Sequence, residues 1–521
     1  MSATPERRLL LAAMIFAVSM TFIDQTIVAL AVPELQKDLG LSATGTQWIV
    51  NAYLLSLSAL FAFGGRLADI AGHRRMVVTG VVVFASASAL CGATPTGELA
   101  EPWMIFFRVV QGAGAAIMFP AALAIVIAAY PIAERGKAMA VFFAITGGLT
   151  AVGPMAGGYL TEWTWRSIFW INVPVAIIAL ILTARAKPSD ERHPAPMDWP
   201  GAALIAGGMG LSVLGLQQSS AWGWDSPVTW ACIVAGLLLL LAFVRFELRA
   251  EHPLMRVQIF ENRGFAADNA VLFLLMLVFL PLFLFASLYA QISLGDDASG
   301  AGLYLLVFFG GYAAGAQWGG RMLDARGARA AVLPGCALAA VGFFLWAGSL
   351  TDFDLGDHWI YMVMAGVGAG LILGPASTDA VNRAPRTSYG EATGITQTLR
   401  NFGGSLGLAV LGTILILQNR SNIEGSLGDL GLPKGRADQI ADALSQSGGG
   451  RPSGGFGDAS GRAAQRVFEA VQHDFAVATR TVFYVMAGVM VVAYFVAHVT
   501  MPRDRVVAEE AEPEAVAAAE A

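Results

Sequence analysis

The stretch Gly64-Gly65-Arg66-Leu67-Ala68-Asp69-Ile70-Ala71-Gly72-His73-Arg74-Arg75 returns, little changed, as Gly319-Gly320-Arg321-Met322-Leu323-Asp324-Ala325-Arg326-Gly327-Ala328-Arg329. The offset from Gly64 to Gly319 is 255 residues. Each copy follows one long apolar run and precedes another, so each reads as a short basic hairpin between two membrane helices. A hairpin repeated at that distance in an apolar chain is the mark of an internally duplicated membrane protein.

Composition agrees. The 521-residue chain is 56% hydrophobic and 13% charged, and soluble domains carry about 25% charged residues. The net charge of −6 says little about partners, because the acidic tail (Glu509, Glu510, Glu512, Glu514, Glu520) supplies much of it and reads as solvated chain. Only four of the 32 basic residues are lysines (Lys37, Lys137, Lys187, Lys434). That bias reads as a GC-rich bacterial genome and not as a nucleic-acid surface. Cys91, Cys232 and Cys336 stand apart in apolar runs without C-x-x-C spacing, and read as small buried hydrophobes. The six histidines have no metal-ligand spacing. No G-x-x-x-x-G-K-[ST] points to ATP as a driving force. Gly366-x-Gly368 falls inside a membrane helix and is no dinucleotide site.

Spans of about 20 apolar residues begin near Leu9, Trp48, Met76, Trp103, Lys137, Ile168, Gly201, Val228, Ala267, Gly302, Ala331, Trp359, Ala392 and Thr481. That predicts fourteen transmembrane helices, the seventh (Gly201 to Leu216) being the shortest. The apolar run after Arg7-Arg8 is too long for a cleaved leader and reads as the first span, retained. With the N-terminus inside, nineteen basic residues fall in short inner segments, against Lys37 and Arg166 in outer loops. Trp48, Trp103, Trp163, Trp165, Trp222, Trp224, Trp230 and Trp359 cluster at the outer ends, with Trp199 and Trp318 at inner ones. Both termini are therefore expected on the cytoplasmic side.

The duplication extends beyond the hairpin. Gln111-Gly112-Ala113-Gly114-Ala115 aligns with Ala365-Gly366-Val367-Gly368-Ala369, and Pro120 with Pro375. Helix 2 thus corresponds to helix 10, helix 4 to helix 12, and helix 5 to helix 13. The expected fold is all-α and polytopic: two six-helix bundles with two inserted central helices. The boundaries read as a cytoplasmic N-terminus (1–8), a first bundle (9–185), a linker with the two extra helices (186–262), a second bundle (263–501) and an acidic cytoplasmic tail (502–521). The second bundle contains an extracytoplasmic loop, 418–480, with a Gly/Ser linker in its middle and short amphipathic helices as flanks.

With these residues in view, the chain resembles the major facilitator superfamily, in its fourteen-helix drug:proton antiporter branch (the EmrB/QacA subfamily). The hairpin Gly65 to Arg75 resembles the loop between helices 2 and 3. Arg108-x-x-Gln111-Gly112-x-Gly114 resembles the helix 4 motif, and Gly153-Pro154-x-x-Gly157-Gly158 the helix 5 antiporter motif. Asp24-Gln25-Thr26-Ile27-Val28 with Pro33, and Trp165-Arg166-x-Ile168-Phe169-x-Ile171-Asn172-Val173-Pro174, are similar to the branch as well. Ala29 departs from it, since asparagine is common there. The resemblance implies a proton-coupled multidrug efflux antiporter for small hydrophobic or cationic compounds, in a bacterial inner membrane. It implies no enzymatic activity, no cofactor or metal, a small-molecule substrate, protons and the lipid bilayer as partners, and a monomer. An exporter of one endogenous metabolite stays open beside it, as does a non-transporting sensor with the same fold.

Asp24 is the strongest candidate for chemistry. It lies about 22 Å along the first helix from its inner end, and an ionised aspartate at such depth costs at least about 2.5–3.5 kcal/mol. Burial favours its protonated form, so it reads as a proton or cation site, with a structural hydrogen bond as the alternative. Arg108, about 8 Å into helix 4, lies at a similar depth. It either couples to Asp24, as the resemblance implies, or snorkels outward. In the hairpin, Arg66, Asp69, Arg74 and Arg75 around the Gly72 turn are a basic anchor. The resemblance adds that they hold helices together on the cytoplasmic side of the outward-open state. Gly153, Pro154, Gly157 and Gly158 are expected to bend and pack helix 5. Arg400, Asp268 and Asp379 lie nearer helix ends and are candidate pathway residues, an interfacial, solvated role being the alternative for the two aspartates.

Overall fold

The computed structural model describes residues 5–130, 156–188, 196–353, 355–384, 389–429 and 462–503, together with 138, 141, 142, 145, 146, 149 and 153. Thirteen helices among these are long and apolar enough to cross a membrane. The first four are α1 (Pro5–Leu39), α2 (Ala43–Ala71), α3 (His73–Gly92) and α4 (Ala100–Ala129). The span expected from Lys137 is described only at scattered helical positions up to residue 163. A short α5 (Ser167–Trp170) leads into α6 (Asn172–Ala186). The inserted pair is α7 (Trp199–Trp222) and α8 (Pro227–Glu247), followed by the turn η1 (Val257–Glu261). The second bundle holds α9 (Arg263–Ile292), α10 (Ala298–Arg326), α11 (Ala328–Ser349), α12 (Leu355–Asn382), α13 (Tyr389–Asp429) and α14 (Arg462–Thr500).

The duplicated hairpins are duplicated turns. Gly72, at φ 103°, ends α2, and its amide donates to the Ala68 carbonyl; Gly327, at φ 83°, ends α10 and donates to Leu323. A β-carbon is strained at such φ, so glycine is required at both corners. The helix crossings repeat too. A methyl added at Gly114 of α4 would lie 3.0 Å from the Gly80 carbonyl and 2.7 Å from the Phe84 amide of α3. One added at Gly368 of α12 would lie 2.7 Å from the Gly335 carbonyl of α11. Gly80 and Gly335 stand at the same 255-residue offset as the hairpins.

Several expectations are corrected. The seventh span is not short: Asp198 caps it by accepting from the Gly201 amide at 2.8 Å, and α7 runs 24 residues. It packs against both α2 and α13. The flanks of the 418–480 segment are not separate amphipathic helices. They are continuations of α13 and α14, tied together where Asn422 donates to the Asp474 carbonyl (3.1 Å) and Ser426 to the Asp474 carboxylate (2.9 Å). The glycine-rich middle of that segment and the acidic tail lie outside the described residues.

The bundles meet at the end remote from the hairpins. Gln291 of α9 donates to the Leu30 carbonyl of α1 at 3.1 Å. A methyl at Gly412 of α13 would lie 2.6 Å from the Gln47 amide carbon of α2. At that same end Asp297 caps α10, accepting from the Gly300 amide (2.7 Å) and the Ser299 hydroxyl (3.0 Å). These hydrogen bonds hold its carboxyl below the ordinary carboxylate range, whereas burial and the adjacent Asp297 push Asp296 up. A lowered folded-state pKa stabilises above the unfolded value and is lost as pH falls through the folded one. Asp297→Ala is therefore expected to cost about 1 kcal/mol at neutral pH. The difference should shrink below about pH 4, as read by thermal unfolding in detergent.

Candidate functional site

Asp24 sits at position 20 of the 35-residue α1, fully buried. Because α1 continues past Pro33 to Leu39, the carboxylate is deeper than expected, about 28 Å from the start of the helix and about 22 Å from its end. α4 likewise starts earlier, at Ala100, so Arg108 is about 12 Å in. The structure brings the two together. Arg108 Nη1 donates to Asp24 Oδ2 at 2.5 Å and to Gln111 Oε1 at 2.7 Å, while Gln111 Nε2 donates to Asp24 Oδ1 at 2.8 Å. Arg108 is 1% and Gln111 0% exposed, which rules out snorkelling in this conformation. Gln111, one turn after Arg108 on α4, closes a ring of three side chains.

Both Asp24 oxygens accept from donors, the arrangement of an ionised carboxylate. The guanidinium is also fixed from α2: Nε donates to the Ile49 carbonyl at 2.7 Å, and Cζ lies 4.5 Å from the centroid of the Tyr53 ring. Tyr53 in turn donates to the Thr21 carbonyl on α1 at 3.3 Å. Sequence reasoning missed Tyr53. Its counterpart at the 255-residue offset is Phe308, so the only signal was a hydroxyl present in one half and not the other.

The glycine motifs press helices onto this site. A methyl at Gly112 would lie 2.5 Å from the Tyr53 carbonyl and 2.9 Å from Ser56 Cβ, so Gly112 lets α2 and α4 close around Arg108. Gly153 faces Thr26 and the Ile23 carbonyl, flanking Asp24, and Gly157 faces Ile27. Gly158 faces Ala298 and Ser299 at the start of α10, across the bundle boundary. Pro154 lies outside the described residues.

The hairpin residues stand apart from this ring. Asp69 Oδ1 is 3.1 Å from His73 Nε2 within its own hairpin, with 47% of the Asp69 side chain exposed. Arg66 reaches the Pro196 carbonyl at 3.4 Å. Gly65 packs beside Pro120 of α4, and Arg74 is half-buried at the start of α3. Arg75 is exposed. The second copy is weaker: Asp324 is exposed.

Arg400 lies about 17 Å into α13, well inside the helix, and donates to Gln397 Oε1 at 2.6 Å. Asp268 of α9 and Asp379 of α12 do lie toward the hairpin end, but they are 1% and 3% exposed, so the solvated reading is wrong. Arg383, read in sequence only as a positive-inside residue, stands between them. Its Nε is 2.6 Å from Asp379 Oδ2 and 3.7 Å from Asp268 Oδ2.

The bundles are joined by a polar chain that the sequence did not reveal. Asn51 of α2 donates to Gln217 of α7, and Ser405 of α13 donates to Asn51. Nearby, Ser58 donates to the Thr398 carbonyl at 2.9 Å and Thr413 to the Leu216 carbonyl at 3.0 Å. The motif beginning at Trp165 is a clamp. Trp165 donates to Asp38 at 2.8 Å, and Arg166 donates to the Gly92 and Thr94 carbonyls at 2.8 and 2.9 Å.

Comparison with known proteins places these features in a family. The family model described as Major Facilitator Superfamily matches residues 14–408. A tetracenomycin C resistance and export protein of Streptomyces glaucescens is 32% identical, covering 94% of this chain and 90% of that one. A puromycin resistance protein of Streptomyces alboniger is 34% identical over 75% of this chain and 78% of its own. A multidrug transporter of Bacillus subtilis is 30% identical over 79% and 75%. Among solved structures, a bacterial homologue of the human lysosomal transporter Spinster, inward-facing and unoccupied, superposes with a TM-score of 0.63 at 17% identity, covering 96% of this chain and 99% of that one. A D-xylose–proton symporter gives 0.57 at 13% identity, over 84% and 95%. At such identities the likeness is one of fold.

Proposed function

The chain belongs to the Major Facilitator Superfamily and is a multi-pass membrane transporter, and on that premise we propose that it is a proton-coupled efflux antiporter for small hydrophobic or cationic compounds. The observation that carries this reading is the buried Asp24–Arg108–Gln111 ring. A proton arriving at Asp24 Oδ2 turns an acceptor into a donor and breaks the hydrogen bond from Arg108 Nη1. The guanidinium stays anchored to Ile49, Gln111 and Tyr53, so the change in charge is felt by α2. That helix carries the Gly72 hairpin at one end and meets α13 through Asn51 and Ser58. Protonation in the first bundle thereby biases the contact between bundles, which is what alternating access requires.

In this reading the hairpin end is cytoplasmic, as are both termini, in a bacterial inner membrane. The contacts between bundles at the opposite end close the outer side, and the protein works as a monomer. A charge moving through 100 mV supplies about 2.3 kcal/mol, enough to bias such a switch. The hairpin Asp69, engaged within its own turn here, and its neighbouring arginines would seal the cytoplasmic side in the alternate state.

A second reading is export of a single antibiotic-like metabolite. It is favoured by relatives whose names specify tetracenomycin C, puromycin or cephamycin. Efflux of ethidium-type dyes and of a panel of such antibiotics from cells expressing the chain separates the two. Broad efflux that collapses with an uncoupler is expected. Export of one compound alone would favour the second reading. Efflux indifferent to the uncoupler, with ATP and other ion gradients held constant, would end the proton-coupled one.

A further inference from the structure

The Asp24 ring balances one negative charge with one positive. The cluster at the hairpin end of the second bundle does not. Asp268, Asp379 and Arg383 bring two carboxylates to one guanidinium, with 1%, 4% and 7% of their side chains exposed. Arg383 Nε is committed to Asp379 at 2.6 Å and stands 3.7 Å from Asp268, beyond hydrogen-bonding distance. Neither Asp268 oxygen accepts a hydrogen bond from any donor. Both carboxylates converge on that one Arg383 nitrogen.

Two ionised carboxylates are both acceptors and have nothing to exchange; a hydrogen bond between them needs one proton. An ionised Asp268 here would be a buried charge without a donor, against a like charge, an arrangement proteins avoid by neutralisation. Among the described residues, the charged groups that act on Asp268 are Asp379 and Arg383. Among the described residues, α1, α10, α13, α14 and the η1 turn, which also pack on α9, bring no other. The geometry is held from both sides. Asn262 caps α9 by accepting from the Gly264 and Phe265 amides, and donates to the Arg383 carbonyl at 3.2 Å. The Arg383 side chain lies where a β-carbon on Gly264 would stand.

We propose that Asp268, Asp379 and Arg383 form a second proton-binding site, in which one proton is shared between the two carboxyl groups. The proton balances the cluster to neutrality: one carboxylate is offset by Arg383, the other is a carboxylic acid whose O–H donates across the pair. A metal cation is disfavoured because the guanidinium already sets a positive charge beside both acids. Sliding of α9 against α12 that admits water to both carboxylates would release the proton to the hairpin side. That use in transport rests on the proton-coupled reading above; occupancy by a proton does not.

The test is infrared difference spectroscopy of the purified full chain in lipid vesicles, titrated through neutral pH, without any transport substrate. A protonated-carboxyl stretch is expected at neutral pH in the wild type, lost in Asp268→Asn and in Asp379→Asn. Either variant suffices if the other fails to fold. A band unchanged in the folded variant, or no band in the wild type, overturns the site. Loss of the band when sodium replaces a bulky organic cation also overturns it, in favour of a small metal ion. A retained band beside uncoupler-insensitive efflux would sink the proton-coupled function while leaving the site standing.

Discussion

Asp24→Asn is expected to abolish uncoupler-sensitive dye efflux while the protein still inserts. Asparagine keeps one acceptor for Arg108 but carries no charge and cannot take up the proton, so the step that frees Arg108 Nη1 never occurs. It also strands a guanidinium that is 1% exposed. Removing one partner of a buried pair typically costs about 3–5 kcal/mol, and the surviving hydrogen bonds to Ile49 and Gln111 place this case toward the lower end. Stability and coupling are separable in the double variant Asp24→Asn/Arg108→Gln. Removing both charges should recover thermal stability in detergent but not active efflux. If the double variant regained efflux, Asp24 would be a structural partner of Arg108 and nothing more. Unchanged efflux in Asp24→Asn alone would remove it as the proton site.

Much of this fold was legible because membranes impose long apolar runs and because the chain repeats itself. The hairpins at Gly72 and Gly327, the glycines of α4 and α12 and the inserted pair of helices all follow from a repeat at 254 to 255 residues. Asp24 and Arg108 were legible for another reason: a charge at membrane depth is costly, so its presence is informative by itself. Neutral polar residues carry no such signal. Asn51, Gln217 and Ser405 join three helices across sequence separations of 166 and 354 residues, and each alone resembles a tolerated polar residue in an apolar helix. Arg383 was hidden differently. Near a helix end, an arginine that anchors to headgroups and one that bridges buried carboxylates obey the same positive-inside rule. Only its contacts with Asp268 and Asp379 tell them apart.

Gly112→Val and Gly366→Val are expected to fail in the same way, and that equivalence is the sharpest test of the duplication. At Gly112 the first added carbon would stand 2.5 Å from the Tyr53 carbonyl oxygen; at Gly366 it would stand 2.9 Å from the Tyr312 amide and 3.1 Å from the Phe308 carbonyl carbon. Tyr53 and Phe308 occupy matching positions on α2 and α10. In both halves the obstacle is backbone, which cannot rotate aside as a side chain can. Overpacking usually costs about 1–3 kcal/mol, and here two helices must separate along their whole crossing. Each variant should lose most of its monodisperse yield, with alanine at the same sites milder. Gly210→Val, where nothing lies within 4 Å, controls for the loss of glycine itself and should accumulate normally. The Gly112 variant has a further consequence that its counterpart lacks. Pushing α2 from α4 pulls the Ile49 carbonyl and the Tyr53 ring off Arg108, so any surviving protein should have lost proton-coupled efflux. A Gly366→Val survivor should retain it, because among the described residues no ion pair joins α10 to α12 at the equivalent crossing. Equal loss of efflux per folded molecule in both would mean that the packing alone, and not the Asp24 ring, is what transport depends on.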